Sequence, residues 1–183
     1  MSRMTFKRWL ILAAAIFFAA IFIGVLTAPT ELPEDIFGVD PEDIIELPTA
    51  ALFAFIVFKN ALAFLVSFGL APLLLIMPLT ALFANGWLIG VILALAENSL
   101  GALAAGILPH GIIEIPAFLI AEAAALSFGA AAILAVFKKE KRPELLPSFK
   151  KNARYLAVAL LLLVPAAFIE AFVTPLLLGR ASG

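Results

Sequence analysis

Polar residues divide this chain into long apolar runs separated by short charged segments. The first run extends from Trp9 to Ala28, a second from Pro48 to Ala96, a third from Pro109 to Phe137 and a fourth from Tyr155 to Leu178. A helix rises 1.5 Å per residue, so about 20 residues cross a hydrocarbon core of about 30 Å. The run from Pro48 to Ala96 is long enough for two such helices with a tight turn, which Pro72 and Pro78 place only loosely. The pattern therefore predicts five spanning helices, at about 9–28, 49–75, 79–96, 109–137 and 155–178. The first run exceeds the apolar core of a cleaved signal, and "VLTAPT" offers no A-x-A site, so it reads as a spanning helix.

Composition agrees. Hydrophobic residues make up 64% of the chain and charged residues 14%, against about half and a quarter in soluble domains; the mean hydropathy is +1.16. The fold class is an all-α polytopic transmembrane bundle. There is no cysteine, which removes disulfides and thiolate metal sites from consideration.

The net charge of −1 conceals strong segregation. Arg3, Lys7 and Arg8 open the chain, seven acids lie between Glu31 and Glu46, and seven bases lie between Lys138 and Arg154. Cytoplasmic loops are enriched in Lys and Arg. With five spans both basic clusters fall on one side, which predicts N-in and C-out, with an acidic outer loop at 29–48 and a basic cytoplasmic connector at 138–154. The connector's bases can meet anionic lipid headgroups, and this topology accounts for them without nucleic acid.

Against this background the ionisable groups inside the spans stand out, because each costs about 2.5 to 3.5 kcal/mol on insertion scales and by default marks pairing or function. They are Lys59 and Asn60 in the second span, Asn85 in the third, Glu97 and Asn98 at its outer end, His110, Glu114 and Glu122 in the fourth, and Glu170 in the fifth. Counting from Phe137 and Tyr155 puts Glu122 and Glu170 at one depth, with Lys59 near that level. The expectation is a buried Lys59, Glu122 and Glu170 cluster in which desolvation disfavours the charged form of the acids. His110 and Glu114, one helical step apart, share a face. Pro109 suits a first helical turn, whereas Pro116 frees a carbonyl that protein or a wet cavity must satisfy; together they predict that the fourth helix starts or bends in a polar vestibule.

An imidazole and a carboxylate at that spacing can ligate zinc or another divalent metal, with Glu97 or Glu170 as third ligand, but H-x-x-x-E is not the H-E-x-x-H motif. A hydrogen-bonded structural pair is the plainer reading, and no cofactor is expected. Gly86 and Gly90, with Ala121, Ala124 and Ala125, are positions where helix backbones approach closely, and a homodimer through such faces is expected. Asn85, beside Gly86, reads as an interhelical hydrogen-bonding residue. No G-x-S-x-G or P-loop sequence occurs.

Four stretches, "FKNAL" with Asn60, "FANGWLIG" with Asn85, Gly86 and Gly90, "LPHGIIEIPAFLIAEAAAL" with His110, Gly111, Glu114 and Glu122, and "AAFIEAFVTP" with Glu170 and Pro175, resemble the stage II sporulation protein M family over about residues 58 to 178. The resemblance implies a helical membrane bundle of about five spans in the cell membrane. It also implies a membrane-embedded complex subunit that holds cell-envelope partners, the sporulation member serving in wall remodelling during engulfment. His110, Glu114 and Glu122 carry over as family features. Two readings follow: a scaffold without enzymatic activity of its own, or an ion or metal transporter or metal-dependent membrane hydrolase built on the polar residues.

Overall fold

The computed structural model describes residues 4–30, 48–95 and 100–176, with side chains left out at 100–108 and at His110. Every element among them is helical: α1 (Phe6–Leu26), α2 (Thr49–Leu70), α3 (Ile76–Leu95), α4 (Leu100–Phe137), a 3-10 turn (Lys139–Glu144), α5 (Leu145–Phe168) and a π-helical turn (Ile169–Val173). Five segments are long and apolar enough to span a membrane. The acidic segment expected at 29–48 lies almost wholly outside the described residues, as do Glu97, Asn98 and the last seven residues.

α4 is the hub. One of its faces, Ala117, Ala121, Ala124 and Ala125, packs into a buried cluster with Phe64 and Phe68 of α2, Ala71 just beyond its end, and Leu156, Ala159 and Leu163 of α5. Its opposite side, Leu119, Ala123 and Leu126, closes on Ala13 and Phe17 of α1 and Leu82 of α3. Alanine is the reason one helix can serve four neighbours: side chains that stop at Cβ let backbones come close, and in a bilayer tight packing replaces the hydrophobic drive that water would supply. Phe118 reaches both ways, with ring centroids 5.6 Å from Phe17 and 6.1 Å from Phe64.

The α1–α3 contact is closer still. A Cβ placed on Gly90 would collide with the backbone carbonyl of Ile21, one on Gly24 with that of Trp87, and one on Gly86 would lie 2.5 Å from the Phe17 carbonyl oxygen. The glycines expected to admit a neighbouring helix do so, but the neighbour is α1 of the same chain. That face is filled by α1. Trp87 Nε1 donates to Thr27 Oγ1 at 2.9 Å, fixing the end of this pair.

Two helix boundaries depart from expectation. α5 begins at Leu145, ten residues before Tyr155, because "LLPSFKKNARY" is a helix with a buried edge (Asn152, Leu156) and a basic exposed one (Lys150, Lys151), and Pro147 falls in its first turn, where a missing N–H is harmless. The connector expected at 138–154 shrinks to the 138–144 segment. α4 in turn starts at Leu100, so Pro109 lies inside it instead of opening it, as does Pro116. The α2–α3 turn occupies residues 71–75, and Leu74 and Leu75 adopt the left-handed region at φ 56° and 61°. The Leu75 side chain and Ala71 carbonyl rest on Gly129 of α4, where any Cβ would obstruct them.

Candidate functional site

α2 and α4 run in the same direction, and the polar residues of the two helices meet as two rungs. Asn60 Nδ2 donates to Glu114 Oε1 at 3.0 Å. Two turns further along both helices, Ser67 Oγ donates to Glu122 Oε2 at 2.5 Å. The sequence separations, 54 and 55, are nearly equal because parallel helices of the same rise stay in register. Glu122 is 1% exposed, among α4 alanines without exposure, and Ser67 is 3% exposed. A buried polar atom left unpaired costs about 1–3 kcal/mol, so each rung both fixes the α2–α4 register and settles a group the hydrocarbon would reject.

Above the inner rung the bundle opens. A cleft of about 190 Å³ lies between α2, α4 and the end of α5, lined by Leu52, Phe55, Ile56, Lys59, Asn60, Glu114 and Glu170. Lys59 is exposed at its rim and Glu170 half-buried opposite. Among the described residues the two do not close into a direct ion pair. Glu170 is carried by the π-helical turn. Such a turn adds a residue to the helical circuit and recurs at functional sites; here prolines at 165 and 175, neither able to donate a backbone hydrogen bond, bracket it. Thr174 Oγ1 donates to the Ile169 carbonyl at 3.3 Å, an i to i−5 contact that follows the wider turn. Ile56 packs on Ala167 and Ala171, and the Phe53 and Phe172 rings lie 6.3 Å apart, so α2 and the turn are held together on either side of the cleft.

This arrangement corrects the expected Lys59, Glu122 and Glu170 cluster. Glu170, in the π-helical turn, lies 25 residues after the start of α5, and Glu114 lies 23 residues before the end of α4, against only 15 for Glu122. Once α5 is counted from Leu145, Glu170 matches the level of Glu114. Lys59 and Glu170 therefore share the cleft with Asn60 and Glu114, while Glu122 is deeper and pairs with Ser67. Lys59 is also exposed where burial was expected. Asn85 is a second correction: it is exposed, and its Nδ2 donates to the Ala81 carbonyl of its own helix at 2.9 Å. Gly86 points at α1, and the adjacent position is turned about 100° away from it. The metal reading rested on His110, Glu114 and Glu97. The side chains of His110 and Glu97 lie outside the described residues, and among the described residues no group of three His, Asp or Glu is placed to hold a metal.

Ser67 is the buried polar partner that the sequence pattern does not single out. Its signal was faint, a lone hydroxyl seven residues after Asn60, matching the eight from Glu114 to Glu122 on a parallel helix.

With the geometry in place, comparison with known proteins is informative. The family model described as stage II sporulation protein M matches residues 13–175. The chain belongs to the stage II sporulation protein M family. The match takes in most of the first span, the other four up to residue 175, and every residue of both rungs and the cleft. An uncharacterized protein of Methanocaldococcus jannaschii is 34% identical over 97 residues, 51% of this chain and 54% of that relative, so the match spans about half the relative's length. No solved structure matches.

Proposed function

We propose that this family member is a membrane-embedded scaffold or complex subunit of the cell membrane, with its basic end in the cytoplasm, which holds partner proteins against the sides of its bundle. What supports this reading is the packing beneath the cleft, where Ala117, Ala121 and Leu163 are buried and Glu122 is closed off by Ser67. A carrier needs its polar groups to continue toward the other face or to alternate in access. Here a floor of alanines and leucine supports a fixed body with a polar side surface. Tight α1–α3 glycine contacts and the α2–α4 rungs suit such a body, because a scaffold works by keeping its shape.

The transporter or metal-dependent hydrolase reading draws on the same cleft, where two carboxylates, an amide and an ammonium converge. The two readings separate in one pair of measurements. A scaffold gives reproducible co-purification of the same membrane or envelope proteins from native membranes and no ion flux when reconstituted alone in liposomes. Flux that disappears in a Glu114→Gln, Glu170→Gln variant, with no reproducible partner, would replace the scaffold by the carrier.

A further inference from the structure

α2 is 22 residues long, about 33 Å at 1.5 Å per residue, which is close to the thickness of one hydrocarbon core. Its two ends therefore mark the membrane boundaries, and Lys59, its eleventh residue, sits midway between them. The Lys59 side chain is exposed. Ala63, Val66 and Leu70 follow it at i+4, i+7 and i+11 on the same face and are exposed as well, so an ammonium stands on an otherwise apolar stripe at the side of the bundle. An ionised group at that depth is unfavourable unless an opposite charge meets it.

Within the chain that pairing is not completed. Glu170 lies across a cleft of about 190 Å³ at the same level, half-buried, and the two do not close into a direct ion pair among the described residues. Ile56, packed on Ala167 and Ala171, fixes the spacing of the backbones that carry them. Glu114, the other carboxylate of the cleft, is engaged by the Asn60 amide. One side of the bundle thus carries a cation and an anion at one depth.

An isologous interface presses a patch against a copy of itself, so that residue i meets j while j meets i. A patch with one charge repels its copy, whereas a patch with one charge of each sign attracts it. We propose that two copies of this chain associate about a twofold axis along the membrane normal, with Lys59 of each copy reaching Glu170 of the other to form two reciprocal ion pairs at mid-depth. The stripe of Ala63, Val66 and Leu70 supplies the packed part of the contact, Ala63 letting the second α2 approach closely. The low dielectric that penalises a lone ammonium strengthens both pairs. The dimer stands apart from the scaffold reading, because a carrier built on the same cleft would assemble in the same way, and co-purification of other proteins plays no part in its test.

For that test two differently tagged full-length chains are co-expressed, and one tag is used to recover the other from solubilised native membranes. Wild type is expected to co-purify with itself. Lys59→Glu leaves two acids on the patch and Glu170→Lys leaves two bases, so each is expected to lower its self-recovery by about tenfold or more, since opposed like charges disfavour the contact. Lys59→Glu co-expressed with Glu170→Lys is expected to return to the wild-type level, because both reciprocal pairs again join opposite signs. A mixed pair that recovers no better than either variant with itself overturns the proposal, as does self-recovery that neither substitution lowers. A second measurement needs no variant to fold: wild-type chain in native membranes is treated with a membrane-permeant carbodiimide, which joins an amine to a carboxylate in direct contact. A Lys59–Glu170 amide link in the dimer band is the expected product. Absence of that link from the dimer band, including its presence in the monomer band alone or a link from Lys59 to another protein, overturns the proposal.

Discussion

Replacing Glu122 by leucine should be far gentler than a buried carboxylate in a membrane helix suggests. Removing one member of a buried ion pair costs about 3–5 kcal/mol, because an uncompensated charge is left behind. Here the partner is a neutral hydroxyl, Ser67 Oγ at 2.5 Å. Without the carboxyl, Ser67 can turn to the carbonyl of Ala63 on its own helix, a common serine contact, and leucine fills a similar volume, so Glu122→Leu is expected to cost less than about 1.5 kcal/mol. Ser67→Ala is the harsher single change. It leaves the Glu122 carboxyl, 1% exposed, without its hydroxyl partner, at a cost of about 1–3 kcal/mol. The double variant should recover part of that loss, with a coupling of about 0.6 and up to about 1.7 kcal/mol, the range met for hydrogen bonds between membrane helices. Reversible unfolding in mixed micelles by titration with a denaturing detergent measures all four corners of the cycle. A loss of 3–5 kcal/mol for Glu122→Leu alone, with no coupling to Ser67, would mean that a charge had been stranded and that Lys59 is the true partner.

Three further outcomes follow from the packing. Gly90→Ala should destabilise by about 1–3 kcal/mol, because its Cβ meets the Ile21 carbonyl carbon and the Val25 nitrogen at 2.9 Å and neither can move without parting α1 from α3; an unchanged thermal midpoint in detergent contradicts that contact. Leu74→Gly should raise the midpoint slightly, since the residue is 69% exposed and sits at φ 56°, where a non-glycine residue carries about 1–2 kcal/mol of strain; a clear drop would show that the Leu74 side chain contributes packing. Lys141→Ala removes the 3.2 Å pair with Glu144 on the half-exposed connector and should shift stability by less than about 1 kcal/mol, a larger loss in the same unfolding assay being the contrary result.

Length and apolarity made the five spans legible, and the cost of polar groups in hydrocarbon identified Asn60, Glu114, Glu122 and Glu170 as residues that need partners. What the pattern did not supply was register. The first turns of α5 carry Lys150, Lys151 and Arg154 and read as a loop, so Glu170 was counted from Tyr155, and an error of ten residues, about 15 Å of helix, matched it with Glu122 instead of Glu114. Helix rotation was equally hidden. Asn85 and Gly86 are neighbours in sequence, and only the approach of α1 decides which of them faces inward. Ser67 escaped notice because a single hydroxyl carries no charge penalty to mark it. The π-helical turn under Glu170 was foreshadowed by prolines at 165 and 175, but proline reports a freed carbonyl without saying how the helix accommodates it.

The register of α2 against α4 underlies the rungs, the cleft and the isolation of Glu122, and the absence of native cysteine makes it directly measurable. Two double variants, Asn60→Cys with Glu114→Cys and Lys59→Cys with Glu122→Cys, would be treated in native membranes with a short thiol-to-thiol crosslinker. The first pair is predicted to link efficiently and the second to remain open; linkage of Lys59→Cys to Glu122→Cys, with none between positions 60 and 114, would contradict the architecture described.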